Sequence, residues 1–127
     1  MKLLIDTQAL ILAGRDELLK PARALYESPS NDIYFSMASL LEIAIKASLG
    51  KLQFKKGLVE YRRMLVGELG LLFVPIEPEH LEELRTLPFH HKDPFDRLLV
   101  GQAMVEGLAI FSGDLAFDQY ECKRVWG

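Results

Sequence analysis

Short apolar runs that stop at a polar residue alternate along this chain with longer segments of helical spacing. Lys2 to Ile5 ends at Asp6, Asp32-Ile33-Tyr34-Phe35 ends at Ser36, and Leu108 to Phe111 ends at Ser112-Gly113-Asp114. Runs this short and this apolar fit strands of a parallel sheet buried on both faces. Leu71 to Ile76 reads as a further strand, with Pro75 placing it at an edge or marking its end, and Lys123 to Trp126 as a last short one. Helices are expected between them. Thr7 to Ala13 ends at Gly14, and a second helix starts at Asp16 with Leu18, Leu19, Ala22 and Leu25 in register. Met37 to Leu49 is capped by Ser36 and stopped by Gly50, and Leu58 to Leu69 is closed by Gly70. Pro78 to Leu87 is a short acidic helix, and Pro94 to about Glu106 ends at Gly107. This alternation predicts an α/β fold: one domain over residues 1–127, with a mostly parallel sheet flanked by helices on both faces.

A chain of 127 residues buries a core without metal or disulfide staples. The lone Cys122 has no partner for an internal disulfide, which fits a reducing cytoplasm. One Cys and three His offer no recognisable spacing for structural zinc. The opening run meets Asp6 too early for a signal-peptide core, and no apolar stretch approaches the roughly 20 residues that span a bilayer. The formal net charge of −3 does not advertise nucleic-acid binding. If several acids gather at one site, however, the rest of the surface is closer to neutral or basic.

Four acids stand where their neighbours give them little company. Asp93 fits a helix N-cap, with Pro94 at the first helical position, where its missing N–H costs nothing. Asp96 then points out of the first turn of an apolar helix, where a helix-dipole role is the plain alternative. Asp6 follows the first strand, either as an N-cap or at the C-terminal strand end where α/β sheets hold ligands. Glu42 lies in an almost wholly apolar helix, where a lone carboxylate is costly unless it is paired or bound to metal. Its ordinary alternative is an i,i+4 pair with Lys46, which would contribute a few tenths of a kcal/mol. Asp114 repeats the Asp6 arrangement, or is a turn residue. The cap is assigned to Asp93, and Asp6, Glu42, Asp96 and Asp114 are expected to meet around a divalent cation. Oxygen donors without soft ligands point to Mg²⁺ or Mn²⁺, and such a site suits phosphodiester hydrolysis.

Leu3-Leu4-Ile5-Asp6-Thr7, Ser36-x-x-Ser39-Leu40-x-Glu42-Ile43, Asp93-Pro94-Phe95-Asp96-Arg97-Leu98-Leu99 and Ser112-Gly113-Asp114 occur in the order of a PIN domain. The chain resembles, more narrowly, the VapC-type toxins of bacterial toxin–antitoxin pairs. The resemblance implies a four- or five-stranded parallel sheet between helices and a Mg²⁺- or Mn²⁺-dependent endoribonuclease. Asp6, Glu42, Asp96 and Asp114 match the family's acids. Thr7 and Ser112 match hydroxyl positions near the metal that orient a carboxylate or a water. The resemblance further implies a homodimer inhibited by a small DNA-binding antitoxin of the VapB kind. Gly113 departs from the bulkier residue often found there, and Gly101-Gln102-Ala103 varies another position.

Lys46, Lys51, Lys55, Lys56, Arg62 and Arg63 form a basic stretch that either contacts a phosphate backbone or is a solvated face. Arg97 is expected to reach a substrate phosphate or to pair with an acid such as Asp93. His90 and His91 are read as loop residues, with proton donation as the alternative. A small phosphohydrolase of the haloacid dehalogenase type wants a second acid two residues beyond Asp6, where Gln8 stands. A phospho-acceptor receiver domain fits poorly, because Phe35-Ser36 and Ile76-Glu77 follow the middle strands. A PIN-like module that binds RNA or protein without turnover is the remaining rival.

Overall fold

A computed structural model describes residues 1–127. Five parallel strands, β1 (Lys2–Ile5), β2 (Asp32–Ser36), β3 (Leu72–Val74), β4 (Ala109–Phe111) and β5 (Arg124–Val125), form one sheet in the order β3-β2-β1-β4-β5. The helices are α1 (Thr7–Gly14), α2 (Ala22–Glu27), α3 (Met37–Ser48), α4 (Leu58–Gly67), α5 (Pro78–Thr86) and α6 (Pro94–Glu106). None is long and apolar enough to cross a membrane.

The two-residue alternation of the strands sorts the core into two layers. Leu3, Ile5, Ile33, Phe35 and Phe111 pack with residues of α1, α2, α3 and α4. Leu4, Ile110 and Val74 pack with Leu98, Leu99, Val100 and Ala103 of α6. Each such fully buried aliphatic side chain contributes about 1.5–3 kcal/mol relative to exposure. The layers explain why β4 and, after the exposed Lys2, β1 are apolar at every position, as expected.

Chain order places the site. The chain starts at the centre with β1, moves outward through β2 and β3, then returns to the other side of β1 for β4 and β5. The order reverses between β1 and β4, where the Asp6 N–H donates to the Phe111 carbonyl at 3.1 Å. Crevices beyond the strand ends at such reversals are where open α/β sheets hold ligands.

Local sequence accounts for the long helices at this end. Ser36 caps α3 by accepting from the Ala38 N–H at 2.9 Å, and Asp93 caps α6 by accepting from Phe95 N–H at 2.9 Å and Asp96 N–H at 3.3 Å. Gly107 closes α6 at φ 68°, a left-handed conformation that suits glycine. Two expectations change and one element is added. The helix expected from Asp16 begins only at Ala22, because Asp16 is left-handed (φ 56°) and proline at 21 disfavours helix in the residue before it. Leu18 still enters the core. β3 covers only Leu72–Val74, and, as Pro75 suggested, it is an edge strand. After β4, a 3-10 helix, Leu115–Gln119, forms under an Asp114 cap that accepts from the Ala116 N–H.

Candidate active site

A cleft of about 420 Å³ opens beyond the ends of β1 and β4. Asp6, Glu42, Asp96 and Asp114 all line it, together with Asp93, Lys46 and Lys51. Each acid arrives from a different element: the end of β1, the middle of α3, the first turn of α6 and the segment after β4.

Asp6 is 7% exposed and doubly held. Its Oδ1 accepts from the Ala9 N–H at 2.8 Å, so the N-cap reading is correct. Its Oδ2 accepts from the Ser112 hydroxyl at 2.5 Å, and that same hydroxyl accepts from the Asp114 N–H at 2.9 Å. One serine therefore ties the first acid to the last. Burial pushes the Asp6 carboxyl above its ordinary range, the two hydrogen bonds oppose that, and the charges of Asp114 and Glu42 add to it. Thr7 donates to Ser39 Oγ at 2.9 Å, pinning α1 to α3 behind the cleft.

Glu42 makes the expected i,i+4 pair, with Lys46 Nζ 2.5 Å from Oε2. The pair is unlike a solvated one, since Glu42 is only 5% exposed and its Oε1 is buried with no hydrogen-bond partner. An unpartnered buried carboxylate oxygen costs about 1–3 kcal/mol or more, a deficit that a bound cation would remove.

Asp96 is the most perturbed of the four. Burial, then repulsion from Asp93, Asp6 and Glu42, pushes its carboxyl up to about 7, against the opposing charge of His91. His91 Nε2 stands 3.1 Å from Asp96 Oδ2 without hydrogen-bond alignment. One donor atom each from His91, Asp96 and Asp114 lie within 4.8 Å of one another, a spacing that three ligands of one ion can adopt; Asp6 and Glu42, expected among the ligands, line the same cleft outside this group. Sequence reasoning placed His91 in a plain loop. Its position depends on a contact no local pattern shows: its N–H donates to the Tyr120 hydroxyl at 2.9 Å.

Arg97 corrects another expectation. It neither enters the cleft nor pairs with Asp93. Its guanidinium is buried, donating to the carbonyls of Pro88 at 2.7 Å and of Leu84 and Leu87 at 3.4 Å, with Phe89 stacked over it at 4.3 Å. Arg97 holds the loop that carries His91. The signal was available: adjacent residues on a helix point about 100° apart, so following Asp96 places Arg97 off its face.

The Gly113 departure has a packing cause. A Cβ there would lie 3.0 Å from the Trp126 ring, so glycine lets the indole close over the turn that carries Asp114.

The donor set fits a hard divalent cation: four carboxylates, with one imidazole at the margin. Ser112→Ala should weaken binding of Mn²⁺ about tenfold by calorimetry, because groups that orient a ligand typically contribute 10–100-fold. It should also move the Asp6 carboxyl further up, read by NMR titration without metal. An unchanged affinity would mean that Asp6 is positioned by the Ala9 N–H alone.

The family model for the PIN domain matches residues 3–122. No curated protein sequence matches the chain. Among solved structures, a chain of VapBC2 from Rickettsia felis, crystallised with a DNA fragment from its promoter, is similar at 13% identity and a TM-score of 0.70, covering 98% of each chain. A chain of FitAcB from Neisseria gonorrhoeae is similar at 14% identity and a TM-score of 0.56, over 96% of this chain and 95% of that one. A chain of FitAB bound to an IR36 DNA fragment is similar at 15% identity and a TM-score of 0.59, over 98% of this chain and 96% of that one. These likenesses concern the fold.

Proposed function

We propose that this chain, which belongs to the PIN domain family, is a metal-dependent endoribonuclease acting as the toxin of a toxin–antitoxin pair. The observation that carries the reading is the meeting of Asp6, Glu42, Asp96 and Asp114 in one cleft, with a buried Glu42 oxygen left unpartnered. Asp6, Asp96, Asp114 and Glu42 would hold Mg²⁺ or Mn²⁺, directly or through water, with His91 beside them. When bound, such an ion supplies Lewis-acid polarisation of a phosphoryl oxygen and makes water a stronger acid at neutral pH.

The chain's own residues do the rest. Ser112 and the Ala9 N–H hold the Asp6 carboxylate in one orientation. Asp93 keeps the first turn of α6 in place, so Asp96 is presented from a rigid helix end. Lys46, half-exposed at the rim, is free to exchange Glu42 for a substrate phosphate once that carboxylate has another partner. The toxin role draws its support from the VapC-like motif order and from a similar fold in a structure named VapBC2. It brings with it a small VapB-like antitoxin, a homodimer and a cytoplasmic setting.

The test is incubation of a mixed pool of structured and unstructured RNAs with the purified protein, in Mg²⁺, Mn²⁺ or excess chelator, beside Asp6→Asn. Cleavage should require metal and vanish in the variant. Metal-independent cleavage, or equal cleavage by the variant, would reject the assignment. No cleavage together with no calorimetric metal binding would identify an inert module.

A further inference from the structure

A second groove, of about 450 Å³, adjoins the acidic cleft. The two share Ile11, Lys51 and Leu52 in their walls. The groove runs between the end of α1 and the segment joining α3 to α4. Its character is the reverse of the cleft's. Arg15, Lys51, Lys55 and Lys56 rim it, and no acid lines it. Arg15 also donates to the Gln53 carbonyl at 3.0 Å, tying the two walls together.

The floor is aromatic. Phe54, half-buried, meets Tyr61 edge-on with ring centroids 4.8 Å apart. Tyr61 is 4% exposed with its hydroxyl buried, so it backs the Phe54 ring from the core.

An acidic cleft repels a polyanion, and a chain of net charge −3 gives no general attraction. A substrate strand therefore needs a local cationic track leading to the acids. Cations that follow a backbone, beside an aromatic face on which a base stacks, are the usual equipment for single strands. A duplex keeps its base faces hidden. We propose that this groove holds an unpaired segment of the RNA substrate, with Arg15, Lys51, Lys55 and Lys56 on its phosphates and a base stacked on Phe54. The proposal rests on the nuclease reading of the adjoining cleft for the identity of the strand.

Binding can be separated from chemistry. In chelator, a fluorescein-labelled unstructured 12-nucleotide RNA is titrated with the protein by anisotropy over 50–200 mM NaCl, with a duplex of the same sequence as competitor. Lys55→Gln/Lys56→Gln should weaken binding about tenfold or more and lower the salt slope by roughly 1.4, at about 0.7 per phosphate contact on a single strand. Phe54→Leu should weaken binding about tenfold without changing the slope. Arg85→Gln, on α5 and away from both grooves, should do neither.

Unchanged affinity in the double variant, equal competition by the duplex, or an equal loss in Arg85→Gln would overturn the proposal. Protection of the groove by a polyglutamate peptide, with RNA affinity unchanged in the variants, would overturn it in favour of an acidic protein partner. With metal present, the double variant should keep kcat and raise KM. Tight groove-dependent binding without any cleavage would sink the nuclease reading and leave the track, whereas metal-dependent cleavage at unchanged KM would sink the track alone.

Discussion

Asp96→Asn should reduce RNA cleavage by roughly 10³-fold, about 4 kcal/mol of transition-state stabilisation, while making the metal-free protein more stable above neutral pH. The two effects have one cause. The Asp96 carboxyl lies at about 7, raised first by burial and then by Asp93, Asp6 and Glu42. Between roughly pH 4 and 7 the folded chain keeps a proton that the unfolded chain has released. Stability that is fully present below pH 4 therefore declines as pH rises through this window and stays lost above it. The raised Asp6 carboxyl contributes in the same direction. Asn carries no charge, so the variant should lack the Asp96 part of the decline. At pH 8 it should exceed the parent by about 1–2 kcal/mol, discounted for the solvent that reaches this site. Denaturant melts in chelator from pH 4 to 8 would read this directly. Added Mn²⁺ should reverse the ranking by stabilising only the parent. A variant less stable at every pH would mean that Asp96 serves α6 and not a cation.

Gly101→Val should cost about 3 kcal/mol or more, the largest stability loss expected from a residue that touches no part of the site. A Cβ at Gly101 would lie 3.0 Å from the His80 carbonyl oxygen and 3.3 Å from the Leu84 nitrogen. Both are backbone atoms of α5, so relief requires the two helices to part. Overpacking alone costs about 1–3 kcal/mol. Parting would also disturb a buried polar network. His80 accepts from the Glu77 N–H and stands 2.9 Å from Glu106, while Gln102 donates to the Pro75 carbonyl at 3.2 Å and accepts from Ser36. Thermal melting should show a drop of about 10 °C or more, with metal affinity per folded molecule preserved at low temperature. A variant as stable as the parent would show that α5 slides freely on α6. The unusual Gly101-Gln102-Ala103 run thus reflects helix packing.

What the sequence revealed and what it concealed divides along the range of the interactions. β1, β4 and the caps at Ser36 and Asp93 were legible because strand alternation and N-caps act within a few residues. The choice of Asp93 as cap and Asp96 as the free acid followed from that local logic. Glu42 stood out because its helix is apolar around it, although only the fold shows that one oxygen is orphaned. His91 escaped notice because it reaches Asp96 through a loop fastened to Tyr120, far along the chain. The second groove was half legible: the lysines were visible as a run, while Arg15 joins them only when α1 folds back beside them. The helix expected at Asp16 failed where a helical pattern of leucines competed with a proline and lost.

The position of β1 has a consequence for the timing of synthesis. The first strand to leave the ribosome is the centre of the sheet, yet one of its two neighbours is β4, and Asp6 meets Ser112 across 106 residues. Until nearly the whole chain has emerged, β1 carries an open edge and its terminal acid has no serine to orient it. The nascent chain is then at its most prone to aggregate, with the acidic cleft still unassembled. The cleft is completed in one late step, when β4 closes onto a strand made at the start.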